Sequence, residues 1–182
     1  MATATMSAPS QERQNVVKFK GNPLTLIGPE ITVGAKAPEF QVLAQDLSPV
    51  MLSTFKGKTL LISVTPSVDT PVCDAQVRRF NQEATKLPNV EILNVSMDLP
   101  FALKRWCGAA GVDKVKAVSD HRDASFGRAY GTLVKEMRLL TRAIIIIGGD
   151  GTVRYVEYVP EVTAHPNYDA ALQAVRQIAQ SA

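Results

Sequence analysis

The chain has 182 residues, of which 46% are hydrophobic and 20% are charged, and its formal net charge is +3. This size and composition predict a single globular domain that buries its own hydrophobic core. Basic residues are spread along the chain without interleaved aromatics, and no apolar run reaches membrane-spanning length, so we expect neither nucleic acid nor a membrane as partner.

The N-terminal segment is rich in small polar residues. We predict a flexible tail over residues 1–15 and one domain over residues 16–182. The tail lacks the charged and apolar regions of a secretory signal, and with one arginine it fits a plain tail better than an organelle transit peptide. We therefore expect a cytoplasmic protein in which both cysteines rest as thiols.

Strand patterns follow the tail. Apolar residues on both sides of Gly21 predict an N-terminal β-hairpin, and the chain from Gly34 to Lys58 is predicted to be irregular, with short strands and turns. The compact apolar run TLLISV, Thr59–Val64, is typical of a central strand.

A helix is predicted directly after this strand. Thr70 is placed as the N-cap, Pro71 as the first helical residue, and apolar residues then recur at helical spacing. Cys73 falls in the first turn, where unpaired N–H groups and the helix dipole stabilise a thiolate. Position alone leaves two interpretations open, because Cys73 is also in phase with Val77 and Phe80 and free cysteine is often a small core residue.

The second half of the chain continues the alternation. A strand from Asn89 is predicted to run parallel to the first one, followed by a short helix over residues 98–107 that Gly108 stops. The remaining predicted elements are a strand at residues 115–118, a short helix from Asp123 that stacks Phe126 on Tyr130, a hairpin around residues 148–151, and a last helix capped by Asn167. Together they predict an α/β, thioredoxin-like fold: a central mixed β-sheet flanked by helices, with an N-terminal β-hairpin.

The cysteines and histidines form no familiar metal or disulfide-exchange motif. Cys73 has no partner at C-x-x-C spacing, and the set Cys73, Cys107, His121 and His165 lacks the paired spacings of zinc ligands. No nucleophile-elbow motif surrounds either cysteine, which argues against a hydrolase. We therefore expect no metal and no cofactor.

Two cysteine segments carry a family resemblance. Residues 66–73, PSVDTPVC, resemble the peroxidatic motif P-x-x-x-T-x-x-C of the peroxiredoxins. Residues 98–112, DLPFALKRWCGAAGV, hold the second cysteine where the thiol peroxidase branch, the atypical two-cysteine type, has its resolving cysteine. Further similar segments from about Val17 onward, in the same order and spacing as the family, are KGNPLTLIG, AYGTLV, TRAIIII and HPNYDAAL.

The resemblance implies a thiol-dependent peroxidase for hydrogen peroxide and organic hydroperoxides. By resemblance, Cys73 is the peroxidatic nucleophile, Thr70 offers a hydroxyl to thiolate and peroxide, Pro66 limits water, and Arg142 places a guanidinium beside the sulfur. Cys107 is then expected to resolve the sulfenic acid by an intramolecular disulfide, which thioredoxin would reduce. The same branch implies a homodimer.

Simpler interpretations of these residues remain open. Arg142 could close a loop before a strand, and Cys107 could be a buried residue beside Trp106. The alternative function is a thioredoxin-fold binding or chaperone protein with non-catalytic thiols. Two positions also depart from the family pattern, since Thr65 stands where an aromatic residue is usual and Pro71 where glycine is common. We expect both at the rim of the substrate pocket.

The predicted helices also separate the two cysteines. Cys73 lies at the start of one helix and Cys107 well along the next, which places their Cα atoms beyond disulfide range. We therefore expect local melting of residues 98–112 during the reaction, favoured by Gly108 and Gly111.

Overall fold

The computed structural model describes residues 11–180. Within that range the chain forms strands β1 Glu12–Phe19, β2 Asn22–Ile27, β3 Gln41–Leu43, β4 Pro49–Met51, β5 Thr59–Val64, β6 Val90–Ser96, β7 Lys116–Ser119, β8 Leu133–Val134, β9 Ala143–Ile147 and β10 Val153–Tyr158. The α-helices are α1 Pro71–Ala84, α2 Pro100–Ala110, α3 Ser125–Ala129 and α4 Tyr168–Gln180, and a short 3-10 helix covers Leu52–Phe55.

The strands form one large and one small sheet. The seven-stranded sheet has the order β10-β9-β5-β6-β7-β3-β4, and the three-stranded sheet has the order β1-β2-β8. Strands β5, β6 and β7 run parallel to one another. Strand β9 pairs antiparallel with β5, and β3 pairs antiparallel with β7. The prediction of a mixed central sheet with an N-terminal hairpin is confirmed.

The large sheet separates two hydrophobic cores. Alternate side chains of its central strands point to opposite faces, as strand geometry requires. Leu61 and Ile92 pack on one face with apolar residues of α1, α2 and α4. Ile62 and Leu93 pack on the other face with Phe126 of α3. Helix α1, which holds Cys73, therefore lies against the middle of the sheet.

The N-terminal hairpin begins earlier than predicted. Strand β1 starts at Glu12, so the predicted tail boundary at residue 15 is corrected. Arg13 ties this end to the domain, since its Nε donates to the carbonyl of Gly28 at 3.1 Å and its Nη2 to that of Gly131 at 2.7 Å. Residues 1–10 of the predicted tail lie outside the described residues.

Helix α2 begins and ends later than predicted. It starts at Pro100 rather than Asp98 and continues through Gly108 to Ala110. Gly111 ends it with a left-handed φ of 66°, and the N–H of Gly111 bonds to the carbonyl of Cys107. Glycine accepts this conformation without the steric cost of a Cβ, so the C-cap is here and not at Gly108.

Other local predictions are confirmed. The rings of Phe126 and Tyr130 stack at a centroid distance of 4.5 Å and an interplanar angle of 14°. Asn167 caps α4, because its Oδ1 accepts from the N–H of Ala170 at 3.0 Å. Among residues 11–180, no helix has both the length and the apolar character needed to cross a membrane.

Candidate active site

The loop between β5 and α1 is held in place by Asp98, which follows β6. One carboxylate oxygen of Asp98 accepts from the hydroxyl of Ser67 at 2.7 Å, and the other accepts from the N–H of Val68 at 2.9 Å. Pro66 is buried in this loop, two residues after the last residue of β5. Because neighbouring parallel strands end at the same sheet edge, β6 supplies the anchor for the chain that leaves β5.

The loop delivers Cys73 into the first turn of α1. Pro71 is the first helical residue, Thr70 is the N-cap, and Cys73 is fully buried. Cys73 thus lies in the turn that holds the unpaired N–H groups and the positive end of the helix dipole.

The side chain of Thr70 does not cap the helix. Its hydroxyl donates to the carbonyl of Ser67 at 3.3 Å, and it makes no cap hydrogen bond to a helix N–H. Thr70 is therefore the N-cap residue by position, as predicted, but its hydroxyl does not bond to the helix. Thr70 is exposed at the start of α1, close in sequence to the buried thiol.

Arg142 approaches the thiol from β9, the neighbour of β5 on the edge opposite to β6. It directly precedes β9, and the antiparallel register that pairs Ala143 with Val64 places it beside the end of β5. Its side chain is 1% exposed, and its Nη2 lies 3.3 Å from the Sγ of Cys73. The sequence-predicted pair of Cys73 and Arg142 is thus in direct contact.

Two further acceptors hold this guanidinium. Nε of Arg142 donates to the carbonyl of Val162 at 3.0 Å, and Nη1 donates to Oε1 of Gln76 at 2.7 Å. A buried charge is tolerated only when it is well paired and hydrogen-bonded. Three separate partners, including the sulfur, therefore fix the orientation of the guanidinium plane.

Gln76 is the site residue that the sequence analysis missed. It lies three residues after Cys73, hence on the same face of α1, and it is fully buried. The sequence did contain a signal for Gln76. Its long polar side chain lies on the helix face that also holds Val77 and Phe80, and a buried polar group needs a hydrogen-bond partner.

Thr65 is also placed differently from our expectation. It is fully buried, and its Oγ1 bonds to the side chain of Asn94 on β6. The predicted position of Thr65 at the rim of the pocket is therefore wrong, because its hydroxyl satisfies a polar group inside the sheet. Pro71 is exposed.

Cys107 has different surroundings. It lies on α2, is 7% exposed and packs in the hydrophobic core between α1, α2 and the sheet. Its Sγ accepts a hydrogen bond from Nε2 of Gln45 at 3.4 Å. Burial raises the pKa of the Cys107 thiol, and the hydrogen bond from Gln45 opposes that shift only in part. Both cysteines are free thiols.

No metal centre is formed by the described residues, which contain no group of three or more His, Cys, Asp or Glu side chains able to hold an ion. The chemistry available at the site is that of a buried thiol beside a buried cation, at a helix N-terminus.

Comparison with known proteins places the whole site within one family. The Redoxin family matches residues 32–172. A thiol peroxidase of Halalkalibacterium halodurans is 59% identical over 160 residues, which cover 88% of this chain and 96% of that protein. A thiol peroxidase of Bacillus subtilis is 52% identical, with coverage of 89% and 97%.

A solved structure agrees with these likenesses. The crystal structure of a peroxiredoxin-like protein from Aquifex aeolicus superimposes with a TM-score of 0.84 at 40% identity, covering 89% of this chain and 96% of that one. The predicted thioredoxin-like fold is thereby confirmed.

Proposed function

The chain belongs to the Redoxin family and is a thiol-dependent peroxidase of the peroxiredoxin type, and we propose that the thiol of Cys73 is its nucleophile. The main support is the 3.3 Å contact between Nη2 of Arg142 and Sγ of Cys73, both buried. A guanidinium remains protonated even when buried, so it favours an anion on the sulfur. A binding or chaperone protein with inert thiols has no use for this costly buried pair, and no observation favours that alternative.

The first step is a two-electron oxidation of sulfur. The thiolate of Cys73 attacks one oxygen of ROOH, the S–O bond forms as the O–O bond breaks, and the leaving RO⁻ takes up a proton to become water or an alcohol. The sulfur becomes a sulfenic acid. Both hydrogen peroxide and organic hydroperoxides fit this chemistry.

Hydrogen-bond donors around the sulfur stabilise the negative charge of the transition state. Arg142 donates toward the negative charge as it moves from the sulfur to the leaving oxygen, and the N–H groups in the first turn of α1 add to it. We assign a further donor role to the hydroxyl of Thr70, whose 3.3 Å bond to Ser67 is long enough to be exchanged for a bound peroxide. To Pro66, buried at the end of β5, we assign the exclusion of water.

The second step joins the two cysteines. The thiolate of Cys107 attacks the sulfenic sulfur of Cys73, hydroxide leaves and takes up a proton, and an intramolecular disulfide forms. In the reduced structure the two thiols contact different groups, Arg142 for one and Gln45 for the other. We propose that α2 opens locally, which also removes the burial that raises the pKa of Cys107.

Hydrogen exchange tests the opening of α2. Residues 98–112 should lose protection in the disulfide form, while β5 and β6 keep theirs, because those strands are central in the sheet. A Cys107→Ser variant treated with peroxide is the matched control, since it stops at the sulfenic acid. Equal protection of residues 98–112 in reduced and disulfide forms would contradict the proposal.

The proposal also covers the reductant, the oligomeric state and the compartment. We propose thioredoxin as the thiol that reduces the Cys73–Cys107 disulfide by exchange, a homodimer as the assembled form, and the cytoplasm as the compartment. The catalytic cycle needs no cofactor beyond the thiol reductant, because the sulfur itself carries the two electrons.

One assay tests the function directly. Reduced thioredoxin should be oxidised in a peroxide-dependent reaction when the protein is present in catalytic amounts. With stoichiometric peroxide and no reductant, a sulfenic-acid trap should label Cys73 in the Cys107→Ser variant. Failure to label Cys73, with the protein folded, would rule out its role as nucleophile.

A further inference from the structure

A line of buried polar side chains leads away from Arg142 through the centre of the sheet. It runs from Gln76 on α1 to Ser63 on β5, then to Asn94 on β6, and ends at Thr65 after β5. All four of these side chains are fully buried. The successive bonds, starting from Arg142, measure 2.7, 2.7, 3.1 and 3.1 Å.

Strand pairing brings the middle of this line together. Ser63 and Asn94 are direct partners in the parallel register of β5 and β6. They share the face of the sheet that Leu61 and Ile92 present to α1, because side chains alternate along a strand. Gln76 comes down onto them from the helix. Three polar residues thus interrupt an otherwise apolar core directly beneath the cysteine turn.

The hydrogen-bond chemistry gives this line one direction. Arg142 can only donate, so Gln76 must turn its Oε1 to the guanidinium and its Nε2 to Ser63. The hydroxyl of Ser63 then donates to Oδ1 of Asn94, and Nδ2 of Asn94 donates to Thr65. These four bonds all donate away from the cation, an alignment in which successive bonds polarise one another. At the end of the line the hydroxyl of Thr65 donates back to Oδ1 of Asn94 over 3.4 Å.

Not every buried hydroxyl in the described part of the protein has a hydrogen-bond partner. Thr132 and Thr141 are also fully buried, and their hydroxyls have no hydrogen-bond partner within residues 11–180. Buried hydroxyls outside the line are thus left unpaired, including that of Thr141, which precedes Arg142 in sequence, whereas the four side chains of the line form a continuous chain.

We propose that Ser63, Asn94 and Thr65 are positioning residues that lock the amide of Gln76 and, through it, hold Arg142 against Cys73. This inference rests on the proposed role of Cys73. The lock matters most after the first step, when the sulfur has lost its negative charge and the guanidinium keeps only neutral partners. With the chain intact, Gln76 continues to offer an oxygen to Arg142, so the site need not reorganise before the next peroxide arrives.

Removal of one link tests the proposal. Ser63→Ala leaves Nε2 of Gln76 with only its 3.4 Å contact to the carbonyl of Val64. We expect the second-order rate constant for peroxide to fall by about tenfold, the usual scale for the loss of a supporting contact. We also expect the pH profile of Cys73 alkylation, read by peptide mass spectrometry, to move to higher pH. Thr132→Val is the matched control, because it deletes a buried hydroxyl outside the chain and should change neither readout.

A second pair of variants covers poor folding of Ser63→Ala. Thr65→Val removes the last acceptor while keeping the shape of the side chain, and Thr65→Ser keeps the hydroxyl. The first should shift the alkylation profile in the same direction as Ser63→Ala, and the second should leave it in place.

A double-mutant cycle separates positioning from general damage. In the Arg142→Met background, Ser63→Ala should cause no further shift in the alkylation profile, because its effect passes through Arg142. An equal shift in that background, or no shift in the folded single variants, overturns the proposal. Alkylation needs no peroxide, so failure of the proposed function would appear separately, as absent turnover in the unmodified protein.

Discussion

Both cysteines are buried, but the groups that contact their sulfurs differ in charge. The Sγ of Cys73 faces a guanidinium at 3.3 Å, which Gln76 supports from behind. The Sγ of Cys107 receives a neutral amide N–H at 3.4 Å, and the residue packs among apolar side chains of the core. Burial alone keeps a thiol protonated, and it raises the pKa of Cys107 for that reason.

Burial alone therefore does not describe the surroundings of a thiol. A buried cation contacts Cys73 and a neutral amide contacts Cys107, and in the proposed mechanism Cys107 reacts only once α2 has opened. The order of the two chemical steps is then set by surroundings rather than by residue type.

The largest expected effect on peroxide turnover comes from replacing each cysteine in turn. Cys73→Ser should lower peroxide turnover by about 10⁴-fold or more, as replacement of a nucleophile does. Cys107→Ser should leave the first oxidation at its normal rate and block only disulfide formation. Stopped-flow measurement of peroxide consumption in single turnover distinguishes the two. Similar losses of the first step in both variants would remove the distinction drawn here.

Arg142→Met removes the charge that distinguishes Cys73 from Cys107. The rate of peroxide attack should fall by about 10²–10³-fold, the range seen when a transition-state donor is lost. The alkylation profile of Cys73 should move to higher pH, whereas that of Cys107 should not change. Arg128→Met, at an exposed arginine on α3, is the control. An unchanged Cys73 profile would show that Arg142 is not the partner of the thiolate.

Thr70→Val tests the contribution of the hydroxyl at the edge of the site. Peroxide attack should slow by about tenfold, the equivalent of one hydrogen bond to a charged oxygen. Because Thr70 makes no cap bond, the free energy of unfolding should change by less than about 0.5 kcal/mol. Thr70→Ser should retain the rate. A stability loss of a full helix cap would show that the hydroxyl does bond to α1 in solution.

The smallest expected effect concerns the pH dependence of Cys107. Since burial raises its pKa above the ordinary value of 9.0, the thiolate fraction at neutral pH is lower than in the unfolded chain, and alkylation should accelerate only at high pH. Gln45→Leu removes the hydrogen bond that lowers this pKa, so the profile should move to still higher pH. A shift to lower pH would mean that Gln45 acts on Cys107 in another way.

Local patterns explain which parts of the fold could be predicted from sequence. The six residues of β5 have the predicted bounds, because an apolar run between turns specifies a buried strand without reference to the rest of the chain. The end of α2 could not be placed reliably, since two glycines competed and only the backbone geometry identifies Gly111 as the left-handed residue.

The residues of the candidate site also fall into a part that the sequence predicts and a part that it does not. A short motif marked Cys73 and Thr70, and the family resemblance indicated Arg142. The support for Arg142 could not be predicted, because Gln76 meets it across 66 positions and Ser63 meets Asn94 across 31. Such contacts depend on the register of β5 with β6 and β9, which no local pattern specifies.

The pairing of β9 with β5 also has a consequence for synthesis of the protein. Arg142 lies 69 positions after Cys73, so a chain growing on the ribosome displays its thiol well before the guanidinium exists. Contacts this far apart in sequence form late and depend on closing a long loop. The contact between the sulfur and Arg142 therefore forms only when the C-terminal strands have joined the sheet. The contact on which the proposed peroxide chemistry rests is in this sense a property of the finished domain and not of the nascent chain.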